Sequence, residues 1–253
     1  MSQDLGPIFE GWEFVPGQVT VRQITGDDGY PKIQLRLDMG LLQMELDGRP
    51  DGTRPMGHES LFHMYQSLAR DFLEKESDEP RFTLDAEDCA KLQQEAVQYY
   101  HRYLALFQLG DWVRVIRDTR RNLDLFDFVE QYAETKPLAW LFQQFRPYGL
   151  MMLTRARAQH ALEQHATAQA LAHVTAGIRE IRAFYERMER TDLIEQSQEI
   201  HFLENWEKDL QKASPENEQI RLEKALAAAV EREDYETAAQ LRDSLKQLKG
   251  ASK

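Results

Sequence analysis

PGQVTVRQITGDDGYPKIQLRLDMGLLQMEL, residues 16–46, alternates apolar and polar side chains at the period of a β-strand. Val19 and Val21 face one way, Thr20 and Arg22 the other. Ile33, Leu35 and Leu37 oppose Lys32, Gln34 and Arg36, and Leu42, Met44 and Leu46 oppose Gln43 and Glu45. The breaks GDDGYP and DMG have turn chemistry, so the stretch predicts a three-stranded meander. A sheet with one apolar face needs a cover. The segment ESLFHMYQSLARDFLEK offers one, with Leu61, Tyr65, Leu68 and Phe72 in a helical stripe. Residues 1–80 therefore read as a small β-meander-plus-helix domain.

SDEPRFTLD marks a boundary, and residues 86–212 read as helical nearly throughout. Two stretches share a helix–turn–helix layout: YYHRYLALFQLGDWVRVIRDTRRNL (99–123) and RARAQHALEQHATAQALAHVTAGI (155–178). Aligning Gly110 with His165 pairs Tyr103 with Ala158 and Val115 with Ala170, apolar or small residues where antiparallel helices pack closely. The layout resembles tetratricopeptide-type helical pairs, although such repeats recur every ~34 residues and these turns lie further apart. An ordinary helical bundle fits as well. KASPEN is a second boundary, where Ser214 can cap the following helix and Pro215 suits its first turn. The predicted class is α+β, predominantly helical: residues 1–80, 86–212 and a tail at 214–253.

Composition narrows the function. The chain of 253 residues carries a net charge of -12, with 42% hydrophobic residues. That balance suits a folded, water-facing protein. No segment is net basic, which disfavours direct nucleic-acid binding, since such binding rests on phosphate neutralisation. A single cysteine, Cys89, excludes an internal disulfide and a cysteine-based zinc site. The start lacks a secretory pattern and no apolar run reaches ~18 residues, so a cytoplasmic protein without a membrane anchor is expected.

The tail LEKALAAAVEREDYETAAQLRDSLKQLK, residues 222–249, contains no Pro or Gly and breaks once, at EREDYE. Leu222, Leu226 and Val230 share a face of a first helix, and Tyr235, Ala238, Leu241, Leu245 and Leu248 step along a second. Ala228, Ala238 and Ala239 permit close approach. A hairpin this small buries little by itself, so an apolar face is left for a partner. The second half, with Tyr235, Glu236, Ala238, Ala239, Leu241, Arg242, Asp243, Leu245, Leu248 and Lys249, resembles the UVR (UvrB/UvrC) motif found in excinuclease proteins. Tyr235 stands where Phe is usual and Leu226 where Met is common; both keep the apolar role. The resemblance implies a helical hairpin that binds another protein, often another such hairpin, in a bacterial setting. It covers only the tail.

Other constellations carry less. In HESLFH, His58 and His63 are five apart, off the common face that a His-Glu-x-x-His zinc helix needs. The loop DGRPDGTRPMG places Arg49, Asp51 and Arg54 on a Pro-Gly frame, a candidate recognition loop or a structural turn. Arg114, Arg117 and Arg121, with Arg120 adjacent, line one helical face; they suit an acidic partner, or a solvated face neutralised by Asp118 and Asp124. Trp112, Trp140 and Trp206 read as core. No catalytic residue, metal ligand or cofactor is assigned. The expectation is a non-enzymatic adaptor whose partner is another UVR-bearing protein or a second copy of itself. The alternative is an accessory factor of nucleotide excision repair contacting an excinuclease subunit. No small-molecule ligand is indicated.

Overall fold

The computed structural model describes residues 4–74, 82–212 and 215–251. The chain divides into two compact units, Met1–Arg157 and Ala158–Lys253. It is α+β and mostly helical.

The first unit opens with a short helix α1 (Gly6–Phe9), followed by strands β1 (Val21–Thr25), β2 (Pro31–Arg36) and β3 (Leu41–Glu45). They form an antiparallel sheet in the order β1-β2-β3, as expected of a meander. The register pairs Val21 with Leu35 and Gln23 with Ile33 across β1 and β2, and Leu35 with Leu42 and Ile33 with Met44 across β2 and β3. Ile33, Leu35, Met44 and Leu46 are buried, so the apolar face lies inward as the alternation requires. Leu37, at the end of the stripe, is exposed.

The cover differs from the expected one. Helix α2 (Leu61–Glu74) buries Phe62, Tyr65 and Ala69, while Leu68 stays exposed. It is α3 (Ala86–Leu109) that packs on β1 and β2, and α2 packs on α3. Asp85 caps α3 by accepting the Asp88 N–H. Its inner stripe of Leu92, Ala96, Tyr99, Tyr103 and Leu106 is buried. Helix α4 (Trp112–Tyr132) runs back along α3, and α5 (Lys136–Gln143) rests on α4. Leu84 is fully buried and bridges Ala133 beyond the end of α4. The expected boundary at residues 77–85 is thus no division between units, because the sheet leans on the helix that follows it. The division falls at Arg157/Ala158, inside α6 (Arg146–Glu163).

The second unit contains the end of α6, α7 (Thr167–Arg187), α8 (Gln198–Lys212), α9 (Pro215–Glu231) and α10 (Tyr235–Ala251). Helix α8 packs on α7, α10 on α9, and α9 also touches α8. Pro215 is the first residue of α9, as its fixed φ favours; Ser214 lies outside the described residues. Gly110 and His165, the two aligned turn positions, both have left-handed φ, 75° and 58°. Tyr103, Ala158, Val115 and Ala170 are all buried. Turns of the same build are centred on Glu189 at φ 55° and, within the break EREDYE, on Glu233 at φ 57°. Among the described residues no helix is long and apolar enough to cross a membrane.

Candidate docking site

The turn of the α9–α10 hairpin is made by two successive backbone bonds. The Glu233 N–H donates to the Val230 carbonyl at 3.0 Å and the Asp234 N–H to that of Ala229 at 2.9 Å, a left-handed helix stop. The Asp234 carboxylate then caps α10 by accepting the Thr237 N–H at 3.1 Å. That hydrogen bonding with Thr237 holds the Asp234 carboxyl below its usual range. EREDYE therefore ends one helix and starts the next.

The apolar positions of the hairpin are used in two ways. Ala229, Ala238 and Leu245 are buried between the helices, while Leu222, Ala225, Leu226, Ala228 and Leu241 are half-buried. Val230 and Tyr235, flanking the turn, are 51% and 69% exposed. Glu236, Ala239, Arg242 and Asp243 are exposed on α10. The side chain of Leu248 lies outside the described residues. The apolar positions of the hairpin thus divide: Ala238 and Leu245 are buried within it, and Val230 and Tyr235, flanking the turn, present apolar surface to solvent.

The 47–59 loop departs from a recognition loop at its first arginine. Arg49 turns inward, 3.0 Å from the buried carboxylate of Glu95 and 3.3 Å from Asp51. Asp51 accepts from Thr53 and from Gln98 Nε2 at 3.1 Å. Arg54 is exposed. The arginine face of α4 is likewise committed. Arg114 and Arg117 grip Asp47, Arg117 also reaches Asp118, and Arg121 pairs with Glu95. Their counter-charges are mainly Asp47, Asp118 and Glu95 rather than Asp124. Arg120 is exposed. His63 lies 3.5 Å from Glu59, both exposed, and among the described residues no cluster of three His, Cys, Asp or Glu could hold a metal ion. Trp112, Trp140 and Trp206 are half-buried rather than core; the buried tryptophan is Trp12.

What sequence reasoning missed is the acidic and basic pair inside α3. Glu95 and Arg102 are fully buried. Glu95 accepts the N–H groups of Leu61 and Phe62 at 2.8 and 3.1 Å, capping α2 from another helix. The signal was present: both charges fall on the stripe that runs through Leu92, Ala96, Tyr99 and Tyr103, where a solvated charge has no place.

The UvrB/UvrC motif matches residues 216–251, which takes in α9 after its first residue, the Glu233 turn and α10. No curated protein and no solved structure matches the chain.

Proposed function

We propose that the chain is a non-enzymatic adaptor that docks through the tip of its C-terminal hairpin onto another protein with a UvrB/UvrC-type hairpin. One observation supports it above the rest: the motif-bearing hairpin satisfies its own core with Ala229, Ala238 and Leu245, yet leaves Val230 and Tyr235, on either side of the turn, exposed. Exposed apolar side chains within a motif that pairs helices are the chemistry of an interface. The helical pairs of the middle, read as tetratricopeptide-like, would serve as scaffold. An excinuclease protein that carries the motif is the repair-linked form of the same reading.

The test uses the full chain with purified UvrB, and the chain alone for self-association. Covering two side chains of this size is worth roughly 1 kcal/mol or more each, so Val230→Ser with Tyr235→Ser should weaken docking at least tenfold with the melting temperature unchanged. Undiminished capture by that variant would place the interface elsewhere. Neither docking nor self-association in the unaltered chain would end the reading. Leu241→Ala with Leu245→Ala is the wrong probe: Leu245 is buried, so that change loosens the hairpin itself.

A further inference from the structure

The second face of the sheet is mostly polar, yet its centre is withdrawn from water, while Gln43 at its edge is exposed. Lys32 and Gln34, which point away from the apolar core, are only 8% and 6% exposed. Arg22, Gln34 and Gln43 stand opposite one another across the three strands. They form a chain, Arg22 Nε donating to Gln34 Oε1 at 2.8 Å and Gln34 Nε2 to Gln43 Oε1 at 2.9 Å. Lys32 pairs with Asp28 and Glu45.

Part of the cover is the N-terminal segment. The Arg22 guanidinium lies 4.0 Å from the centre of the Trp12 ring, and Arg36 lies 3.8 Å from that of Phe9. Arg22 Nη2 donates to the Ile8 carbonyl at 3.2 Å, and Arg36 Nε to the Trp12 carbonyl at 3.3 Å. Trp12 is buried, whereas Leu5, Gly6, Pro7, Ile8, Glu10, Gly11 and Glu13 are exposed. Among the described residues, the backbone bonds made by residues 5–18 all stay within the segment, such as Phe9 to Leu5 and Trp12 to Phe9. The segment is seated by two rings and two carbonyls, and no strand ladder fixes it.

Charge says what this face accepts. Residues 4–15, DLGPIFEGWEFV, contain Asp4, Glu10 and Glu13 and no cation. Among the described residues Arg22 and Arg36 have no carboxylate within ion-pair distance, although the chain is strongly acidic. Two guanidiniums held by carbonyls, amides and ring faces can still take an anion. We propose that the polar face of the sheet is a recognition surface for acidic peptides with a Phe-x-x-Trp pair, and that residues 5–15 are its built-in occupant. A tethered occupant sits at an effective concentration of about millimolar, so the face stays closed until a competing peptide displaces it.

The probe is a fluorescein-labelled peptide of residues 4–15, added to the full chain. Each ring–guanidinium contact is worth roughly two- to thirtyfold in binding. The full-length variant Phe9→Ala/Trp12→Ala should therefore capture the peptide at least tenfold more tightly than the unaltered chain does. A peptide lacking both aromatics should not bind, and adding Arg22→Glu with Arg36→Glu to the protein should abolish capture. Binding should also weaken as salt rises. The proposal is overturned if the folded Phe9→Ala/Trp12→Ala variant ignores the peptide, or if the unaltered chain binds it equally well. It is overturned too if that variant loses its fold by circular dichroism, which would make the segment a fixed part of the core.

Discussion

Arg102 on α3 and Asp118 on α4 meet in a two-pronged ion pair, Nε to Oδ2 at 2.6 Å and Nη2 to Oδ1 at 2.9 Å, with both side chains only 1% exposed. The remaining nitrogen of Arg102, Nη1, donates to the carbonyls of Glu45 at 3.0 Å and Gly48 at 2.8 Å. One guanidinium thus ties two helices to the loop that leaves the sheet. Removing Asp118 strands the buried Arg102 charge, and removing Arg102 leaves buried Asp118 with Arg117 Nε alone, at 2.9 Å; breaking a buried pair in this way costs about 3–5 kcal/mol. Asp118→Ala and Arg102→Met should each lower stability by that much in urea unfolding. The joint replacement should cost clearly less than the two losses added together, because no charge is then left alone. Additive losses would show that the pair is not coupled.

Left-handed helix ends, found at Gly110, His165, Glu189 and Glu233, give a prediction of opposite sign. At all four the same bond recurs: the next residue's N–H donates to the carbonyl five positions back, Asp111 to Leu106, Ala166 to Ala161, Arg190 to Tyr185 and Asp234 to Ala229, at 2.9–3.0 Å. All four residues have left-handed φ, and only the first is glycine. Left-handed backbone costs a residue with a Cβ roughly 1–2 kcal/mol, part of which glycine returns through its greater unfolded freedom. His165→Gly and Glu233→Gly should stabilise by up to about 1 kcal/mol, and Gly110→Ala should destabilise by a similar amount, read as shifts in denaturation midpoint. Ala170, five residues past His165 and fully buried, has no room for charge. Ala170→Glu should cost several kcal/mol.

What could be read in the sequence follows from how local each signal is. Ile33, Leu35 and Met44 are placed on the core face by strand period alone, and the hairpin tail by helical period plus one turn. The cover of the sheet could not be read that way. Helix α2 offers Leu61, Tyr65, Leu68 and Phe72, and α3 offers Leu92, Ala96, Tyr99 and Tyr103; period does not say which meets the strands. Arg102 reaching back over more than fifty residues to the Glu45 and Gly48 carbonyls ties α3 to this end of the sheet. Burial of Gln34 was hidden for the same reason, since alternation marks it as solvent-facing and only Trp12, distant in sequence, sits over its neighbour Arg22. In the hairpin, helical period put Tyr235 and Leu245 on one stripe but could not show that Leu245 turns inward and Tyr235 outward.

Cys89 reports on opening of the first unit. It is 1% exposed, and burial pushes its thiol up to about 11. At pH 8 the folded protein then holds about a hundredfold less thiolate there than an ordinary cysteine would. Labelling by iodoacetamide at pH 8 should be negligible until denaturant unfolds the unit, and its rate should rise with urea in step with unfolding. Prompt stoichiometric labelling in native buffer would mean that α3 is not seated as described.

Asp47 supplies a pH dependence whose sign can be worked out. Its carboxylate accepts from Arg114 Nε at 3.1 Å and Nη2 at 3.3 Å, and from Arg117. The hydrogen bonding from Arg114, with that from Arg117, holds its carboxyl below the usual carboxylate range against a smaller opposing effect of burial. A group whose folded pKa is depressed binds its proton more weakly in the native state than in the unfolded chain. Its contribution is therefore complete above about pH 4 and fades as pH falls through the lowered value. The side chain is 65% exposed, so solvent screening limits that contribution to about 1 kcal/mol or less. Asp47→Asn should accordingly lower the melting temperature by a degree or a few at pH 7. The difference between the two proteins should shrink steadily below pH 4 and approach zero near pH 2. A difference that stays constant across this range would assign the loss at pH 7 to packing or to altered hydrogen bonds at the loop, with no part played by the charge.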